Sequence, residues 1–116
     1  MSKDLLEQEY PVIRKMYLLT VEYSKRVQKF PRDGRFILGD RILVNCYDIL
    51  EGLLEARYII AKQKVLKEQN IRLEKLRFQT RLCKDMKYIT ARQYGYLSEL
   101  IDETGKMLGG WIKSIR

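Results

Sequence analysis

The strongest chemical signal in this sequence is a concentration of positive charge between Lys62 and Arg92. The segment holds ten basic residues and three acidic ones, a local balance of +7 in a 116-residue chain whose net charge is +8. Lysine and arginine contacts with phosphates supply affinity for nucleic acid without reading its sequence. A charged face that only keeps the protein soluble is the competing interpretation. The predicted nucleic-acid contacts in this segment are Arg72, Lys75, Arg77, Arg81, Lys84 and Lys87.

Three of these cations share a helical spacing. Arg77, Arg81 and Lys84 follow steps of four and three residues, which places them on one face of a helix. We expect that face to lie away from the apolar stripe that contains Phe78 and Leu82. Charge on a solvated helix face usually alternates in sign, so this bias favours a polyanionic partner. Composition does not choose between RNA and DNA.

A second basic segment, KFPRDGRFILGDR, spans Lys29–Arg41. Pro31 disfavours helical geometry at the residue before it, so an incoming helix is predicted to end near Phe30. The Asp-Gly pair at positions 33 and 34 predicts a turn, and apolar helical periodicity resumes near Phe36. The segment therefore predicts the corner of a helix–turn–helix hairpin.

The predicted corner carries four cations and two acids. An exposed corner with this balance suits contact with a polyanion, and Arg32 and Arg35 are the candidate contacts. The alternative is an ordinary charged loop. Among the eight tyrosines, those beside the long basic segment are candidates for stacking on unpaired bases, whereas those within apolar stretches are predicted to be core. The first group is Tyr88, Tyr94 and Tyr96, and the second is Tyr17, Tyr23 and Tyr47.

The residue types argue against catalysis. The chain contains no histidine, which removes the commonest general base and metal ligand at neutral pH. Glu51 and Glu55 lie one helical turn apart, but a di-iron bundle would also need histidines. Cys46 and Cys83 lack the CxxC spacing of a zinc site and are predicted to be buried thiols. We predict that the chain is not an enzyme and uses neither a metal nor another cofactor.

Four helices must position these residues. The apolar pattern predicts helix 1 over Pro11–Phe30 and helix 2 from Phe36 past Ala61 into the stretch KQKVLKEQN. A break at Gln69-Asn70 would then precede helix 3 over Ile71–Tyr88. Thr90 and Gln93 have the spacing of a capping box, which predicts the start of helix 4. The sequence predicts an all-α, antiparallel four-helix bundle over a single domain, residues 1–116.

Helix 3 shows two apolar stripes rather than one. Leu73, Leu76, Thr80 and Cys83 form the first. Phe78, Leu82, Met86 and Ile89 form the second, which is either packed centrally in the bundle or placed against another subunit. Trp111, in the motif KMLGGWIKS, is predicted to be a packing anchor in the bundle or at a subunit interface. Gly109-Gly110 in that motif either ends helix 4 or lies within it. The predicted oligomer-interface residues are Phe78, Leu82, Met86 and Trp111.

Hydropathy argues against a membrane protein. No uncharged run exceeds six residues, and the N-terminal sequence MSKDLLEQEY has charges where a signal peptide needs an apolar run. The basic segment is also predicted to lack the exposed Trp, Phe and Leu face of a helix that lies on a membrane surface. We expect a cytoplasmic protein without a membrane partner.

Three stretches resemble the accessory variability determinant (Avd) proteins of diversity-generating retroelements. KFPRDGRFILGDRI is similar to the corner between the first two helices of that family, RLEKLRFQTRLCKDMKYIT to its third helix, and QYGYLSELIDETGKMLGGWIKS to its last. The resemblance implies a basic four-helix bundle that assembles as a homopentameric barrel. It also implies binding to a reverse transcriptase and its template RNA, in support of mutagenic copying of that RNA into complementary DNA. On the family pattern, the cations that serve these contacts correspond to Arg72, Arg77, Arg81 and Lys84.

A sister family shares this fold and a similar C-terminal motif. Its members are encoded in intervening sequences of 23S ribosomal RNA genes. Their corner between helices 1 and 2 is usually less similar to RFILGDRI, which favours the Avd resemblance. A structural oligomeric adaptor without nucleic-acid binding is the remaining alternative.

Overall fold

The computed structural model describes residues 4–115, and every regular element in that range is helical. A 3₁₀ turn at Leu5–Gln8 precedes four long helices. Helix α2 changes geometry along its length, because a π-helical segment separates two α-helical ones. The bounds are Pro11–Val27 for α1, Arg32–Gly34, Arg35–Gly39 and Asp40–Ala56 for the three parts of α2, Gln63–Asp85 for α3 and Ala91–Ser114 for α4.

The four helices close around one core. Each helix packs against the next in sequence, and α1 also packs against α4. Short connections make successive helices antiparallel. Apolar residues at helical spacing on all four helices are buried, as the periodicity predicts. The all-α, four-helix prediction is confirmed. The core includes Met16 and Leu19 of α1, Ile42 and Ile49 of α2, Leu66 and Leu76 of α3, and Leu97 and Ile101 of α4.

The predicted start of the last helix is confirmed. The Thr90 hydroxyl accepts a hydrogen bond of 3.0 Å from the Gln93 N–H, and the Gln93 side chain accepts one of 2.9 Å from the Thr90 N–H. Gly109-Gly110 does not end the helix, which continues to Ser114. The reason is that Trp111 and the apolar residues after it pack against the core.

The corner between α1 and α2 is tighter than predicted. Helix α1 ends at Val27, and α2 begins directly after Pro31, which serves as its N-cap. Gly34 is helical, with φ −64° and ψ −36°, so the predicted turn at Asp33-Gly34 is wrong. What glycine provides there is space, since a Cβ on Gly34 would overlap the ring of Tyr88.

The boundary between α2 and α3 was also predicted wrongly. Helix α2 ends at Ala56 and α3 begins at Gln63, so the connection is residues 57–62 and not Gln69-Asn70. Gln69 is 2% exposed and lies against Gly52. In one continuous helix these two residues would be about 25 Å apart, so the chain must reverse between them. The connection contains neither Gly nor Pro to signal this reversal.

Two predictions about buried polar groups are confirmed. Cys46 and Cys83 are both fully buried thiols, and burial raises the pKa of each to about 12. Protonated, buried thiols are poor nucleophiles and metal ligands. Tyr23 is fully buried as predicted, and burial raises the pKa of its hydroxyl. That hydroxyl shares a hydrogen bond with the Thr80 hydroxyl, which in turn donates to the Leu76 carbonyl at 2.7 Å.

Helix α3 ends in a Schellman motif that has lysine where glycine is preferred. The Tyr88 N–H donates to the Cys83 carbonyl at 2.8 Å, and the Lys87 N–H donates to the Lys84 carbonyl at 3.0 Å. Lys87 has φ +64°, the positive-φ non-glycine residue of the described chain. Left-handed geometry costs a residue with a Cβ about 1–2 kcal/mol. The motif is thus formed at a local conformational cost.

We expect Lys87→Gly to raise the free energy of unfolding by about 1 kcal/mol, because glycine adopts positive φ without that cost. The larger entropy of glycine in the unfolded chain offsets part of the gain. Thermal unfolding followed by circular dichroism, at a fixed protein concentration, should show a melting temperature several degrees higher. The matched control is Lys84→Gly, within the helix, which should lower stability by about 1 kcal/mol. Equal shifts for the two variants would contradict the conformational explanation.

Candidate nucleic-acid interface

Arg77 is engaged in ion pairs that link α3 to α4. Its guanidinium pairs with Asp102 on α4 and, at 3.2 Å, with Glu74 one turn earlier on α3. Gly105 leaves room for this reach, since a Cβ there would lie 3.2 Å from Nη2 of Arg77. All three charged side chains are more than a third exposed, so the pairs contribute little to stability. Their effect is to offset the positive charge of Arg77.

Arg81 is paired as well. Its Nε lies 3.1 Å from a carboxylate oxygen of Asp85, one turn later on α3. The hydrogen bond and the charge of Asp85 raise the pKa of Arg81. The two arginines at the centre of the predicted contact face therefore lie beside three carboxylates. Each remains a candidate phosphate contact, but a phosphate must compete with a carboxylate already in place.

The relation between this face and the second apolar stripe differs from the prediction. Arg77, Phe78 and Arg81 line one shallow cavity of about 200 Å³, together with Glu74 and Tyr94. At about 100° per residue, Arg81 is about 40° from Arg77 around the helix axis, and Phe78 is about 60° beyond Arg81, so Phe78 lies at one edge of the cationic face. The prediction that the cationic face lies away from this stripe therefore fails at Phe78, whereas Leu82 lies in a different groove, about 100° from Arg81 around the axis.

The other predicted cations of α3 have different surroundings. Lys75 and Lys87 are exposed and make no ion pair within residues 4–115. The Lys84 ammonium lies 5.2 Å from the ring centre of Tyr94, in a cation–π contact. Arg72 is half-buried and donates to the Gln69 side chain at 3.1 Å. The charge of α3 that is free for phosphate is thus spread along the helix rather than concentrated on one face.

The arginines of the α1–α2 corner, unlike Arg77 and Arg81 of α3, are not neutralised by nearby carboxylates in the described part of the chain. Arg32 is exposed and Arg35 is half-buried, and neither lies in an ion pair with a carboxylate of the described chain. Both guanidinium groups lie instead over the ring of Phe36, with their central carbons 5.9 and 5.3 Å from its centre. Both arginines are predicted contacts, whereas Phe36 is predicted only as the start of the apolar pattern of the second helix. Its position directly after Arg35 was the available signal.

The tyrosine predictions were partly wrong. Tyr17 and Tyr47 are 41% and 47% exposed rather than core, since they lie on the outer edges of their apolar patterns. Tyr88 is half-buried against Phe30, with ring centres 5.2 Å apart, so its ring is committed to the fold. Of the stacking candidates, Tyr96 is 49% exposed and Tyr94 half-buried.

The second apolar stripe of α3 is largely solvent-facing in the single chain. Phe78, Leu82 and Met86 are 68%, 50% and 56% exposed. Leu82 and Met86 border an apolar groove of about 500 Å³ whose opposite wall is Ile37 and Leu38 of α2. The same stripe's Ile89 is buried in the core. This pattern leaves an unpartnered apolar surface between α2 and α3.

Trp111 lies away from that surface. Its ring packs edge-on against Tyr10, with ring centres 4.9 Å apart, beside the start of α1. It lies nine residues beyond Asp102, the partner of Arg77, which corresponds to about 13 Å along α4. The structure therefore places Trp111 as a packing anchor within the bundle and not beside Phe78.

A pocket of about 470 Å³ between α2 and α3 is lined by the acidic residues Asp48, Glu51, Glu55 and Glu68 and by the cations Lys64 and Arg72. Across residues 4–115, no group of three or more acidic or cysteine side chains is placed to hold a metal ion. Over the same range, no helix combines the length and apolar character needed to cross a bilayer.

Comparison with known proteins agrees with this geometry. The family model described as bAvd-like matches residues 4–115. A crystal structure of a protein with unknown function from the S23 ribosomal protein family, from Bacteroides thetaiotaomicron VPI-5482, superposes with a TM-score of 0.80. It is 21% identical, and the match covers 88% of this chain and 95% of that one, so it establishes the shared fold. No curated protein matches. The fold and the family match over residues 4–115 together show that the chain belongs to the bAvd-like family.

Proposed function

We propose that this protein is a non-catalytic accessory subunit of a reverse transcriptase, which binds the enzyme and its template RNA in a diversity-generating retroelement. The observation that carries the proposal is the bAvd-like family match across residues 4–115 of a strongly basic chain. In this role the protein supports mutagenic synthesis of complementary DNA. The similarity to the S23-family structure concerns the fold and does not favour a role beside ribosomal RNA genes.

RNA binding in this proposal is electrostatic. The phosphate contacts come from cations outside ion pairs, which in the described chain include the exposed Lys75, Lys87 and Arg32 and the half-buried Arg35. Arg72 and Lys84 add positive potential nearby. Arg77 and Arg81 contribute less, because Glu74, Asp85 and Asp102 offset their charge.

The proposal includes assembly as a homopentamer. The exposed stripe of Phe78, Leu82 and Met86 and the groove next to it supply an apolar surface that a second subunit would cover. A closed ring repeats each basic surface around its circumference. Phosphate contacts from several subunits can then act on one RNA, which raises overall affinity without any new contact.

The direct test measures binding of labelled template RNA over a series of salt concentrations. Electrostatic binding should weaken with salt, with a log–log slope of about −0.7 per neutralised phosphate on single strands. A reverse transcriptase encoded in the same locus should co-purify with the protein when the two are co-expressed. Absence of RNA binding at low salt, together with no co-purification, would favour a structural adaptor whose charge serves solubility.

A further inference from the structure

We propose that the α1–α2 corner is a stacking site for an unpaired nucleotide of single-stranded RNA. The ring of Phe36 is the platform, and the guanidinium groups of Arg32 and Arg35 are its phosphate contacts. This proposal rests on the function proposed above and deepens it. It names one binding site and specifies that the site binds single-stranded RNA.

The first observation is the exposure of Phe36. This aromatic side chain is 58% exposed on the outside of α2. The central carbons of two guanidinium groups lie 5.3 and 5.9 Å from its ring centre. Aromatic rings stack on bases of any sequence, and guanidinium planes stack on bases as well as binding phosphates. The cluster therefore combines a base platform with phosphate contacts.

The second observation is that the charge at the corner is unneutralised. Residues 29–41 carry four cations and two acids, a balance of +2, and within residues 4–115 none of these six groups lies in an ion pair. Phe78 on α3 provides the contrast. It is also exposed beside two arginines, but three carboxylates neutralise them, which leaves a local balance of −1. Of these two arginine–phenylalanine clusters, the corner is the one that attracts a polyanion.

The third observation is that the backbone beneath the cluster is closely packed. Phe30 is buried against Tyr88, whose ring fills the space that a side chain on Gly34 would occupy. A Cβ on Gly39 would lie 2.6 Å from Cγ1 of Val27, so α2 approaches α1 closely there. A platform fixed in this way loses little conformational freedom when it binds.

The backbone under the cluster is itself unusual. Arg35–Gly39 is π-helical, and the Asp40 N–H donates to the Arg35 carbonyl five residues earlier. Such wide turns within α-helices are frequent at functional sites. Here the π-helical segment contains both Arg35 and Phe36. Two independent features, a rare backbone form and an exposed ring with free cations, thus coincide at one place.

The geometry favours single strands over duplexes. A ring can stack only on a base whose face is free, and in a duplex both faces are already stacked on neighbouring bases. Duplex RNA would retain the phosphate contacts with the arginines and lose the contact with Phe36. Single-stranded RNA should therefore bind more tightly than a duplex of the same length.

The test uses the full-length protein and a labelled oligouridine of about eight nucleotides, within the site size of known single-strand binders. We expect Phe36→Leu to weaken binding by about 5- to 150-fold, the range that corresponds to loss of one base–aromatic stack. Phe36→Trp keeps an aromatic ring at this position, so it should bind about as tightly as the parent. The matched control is Tyr58→Leu, which removes a ring that is 77% exposed and that also lies beside an arginine, Arg57, whose charge Glu9 offsets. This variant should leave the affinity unchanged.

A spectroscopic readout separates stacking from a structural effect. The chain has one tryptophan, Trp111. In a Trp111→Phe background, Phe36→Trp places the sole indole at the corner. Its emission should be quenched as oligouridine saturates the protein, and duplex RNA should quench it less.

The outcomes distinguish this proposal from the proposed function. If the parent binds oligouridine and Phe36→Leu binds it equally well, the stacking site is wrong while RNA binding stands. Equal affinity for duplex and single-stranded RNA would overturn it too. Failure of the parent to bind any RNA at low salt would overturn both. An equal loss for Phe36→Leu on a single-stranded DNA of the same length would support stacking and show that the sugar is not read.

Discussion

Leu82→Asp should convert the assembled protein into a monomer. In the proposed pentamer, light scattering gives about five times the 13.9 kDa chain mass for the parent, and the variant should give the mass of one chain. The reason is that Leu82 lies on the exposed apolar stripe and borders the groove between α2 and α3. An unpaired carboxylate buried in an apolar interface costs several kcal/mol, and a ring repeats this cost at every interface.

The matched control for this experiment is Leu18→Asp. Leu18 is 55% exposed, close to the 50% of Leu82, but it lies on α1. This variant should keep the mass of the parent. The helical circular dichroism of both variants should be unchanged, since neither side chain belongs to the buried core. Retention of the parent mass by Leu82→Asp, or a monomeric parent, would contradict the proposed interface.

The double charge reversal Arg32→Glu with Arg35→Glu should reduce RNA affinity at least tenfold at moderate salt. Each protomer loses two phosphate contacts, so the log–log salt slope should become shallower by about 1.4 per engaged protomer. Neither arginine makes an ion pair within residues 4–115, so their replacement should leave the fold intact. Filter binding with labelled template RNA across a salt series measures both quantities.

The matched control removes the same number of arginines from α3. Arg77→Gln with Arg81→Gln should have the smaller effect, since Glu74, Asp85 and Asp102 already offset both charges. Glutamine is used because a carboxylate at either position would add repulsion from these acids. If the α3 double variant lost more RNA affinity than the corner double variant, the expected order of the two surfaces would be contradicted. The main RNA contact would then lie on α3.

The periodicity of apolar residues was sufficient to predict the fold class and most of the core. Residues at steps of three and four, such as Met16, Leu19 and Tyr23, are fully buried. Local chemistry was equally informative where one side chain bonds to nearby backbone, as at the Thr90 cap. These features depend on short segments, so the order of residues determines them directly.

The boundaries near the corner and between α2 and α3 depended on tertiary contacts. Asp33-Gly34 has the composition of a turn, but Gly34 is helical, and its missing side chain leaves space for the Tyr88 ring, more than fifty positions later. The reversal at residues 57–62 carries no Gly or Pro. It follows from the packing of Gln69 against Gly52 on the preceding helix. Such contacts join residues that are far apart in sequence, so local sequence patterns do not predict them.

The sequence by itself determined how many cations the candidate interface contains, and the tertiary structure decided which of them are free to bind. Arg77 and Arg32 are the same residue type, each in a basic segment. Arg77 meets Asp102 of another helix, whereas Arg32 meets the ring of Phe36. The physical reason is that the potential at a site depends on charges close in space, and the packing of α3 against α4 brings carboxylates to one arginine and not to the other.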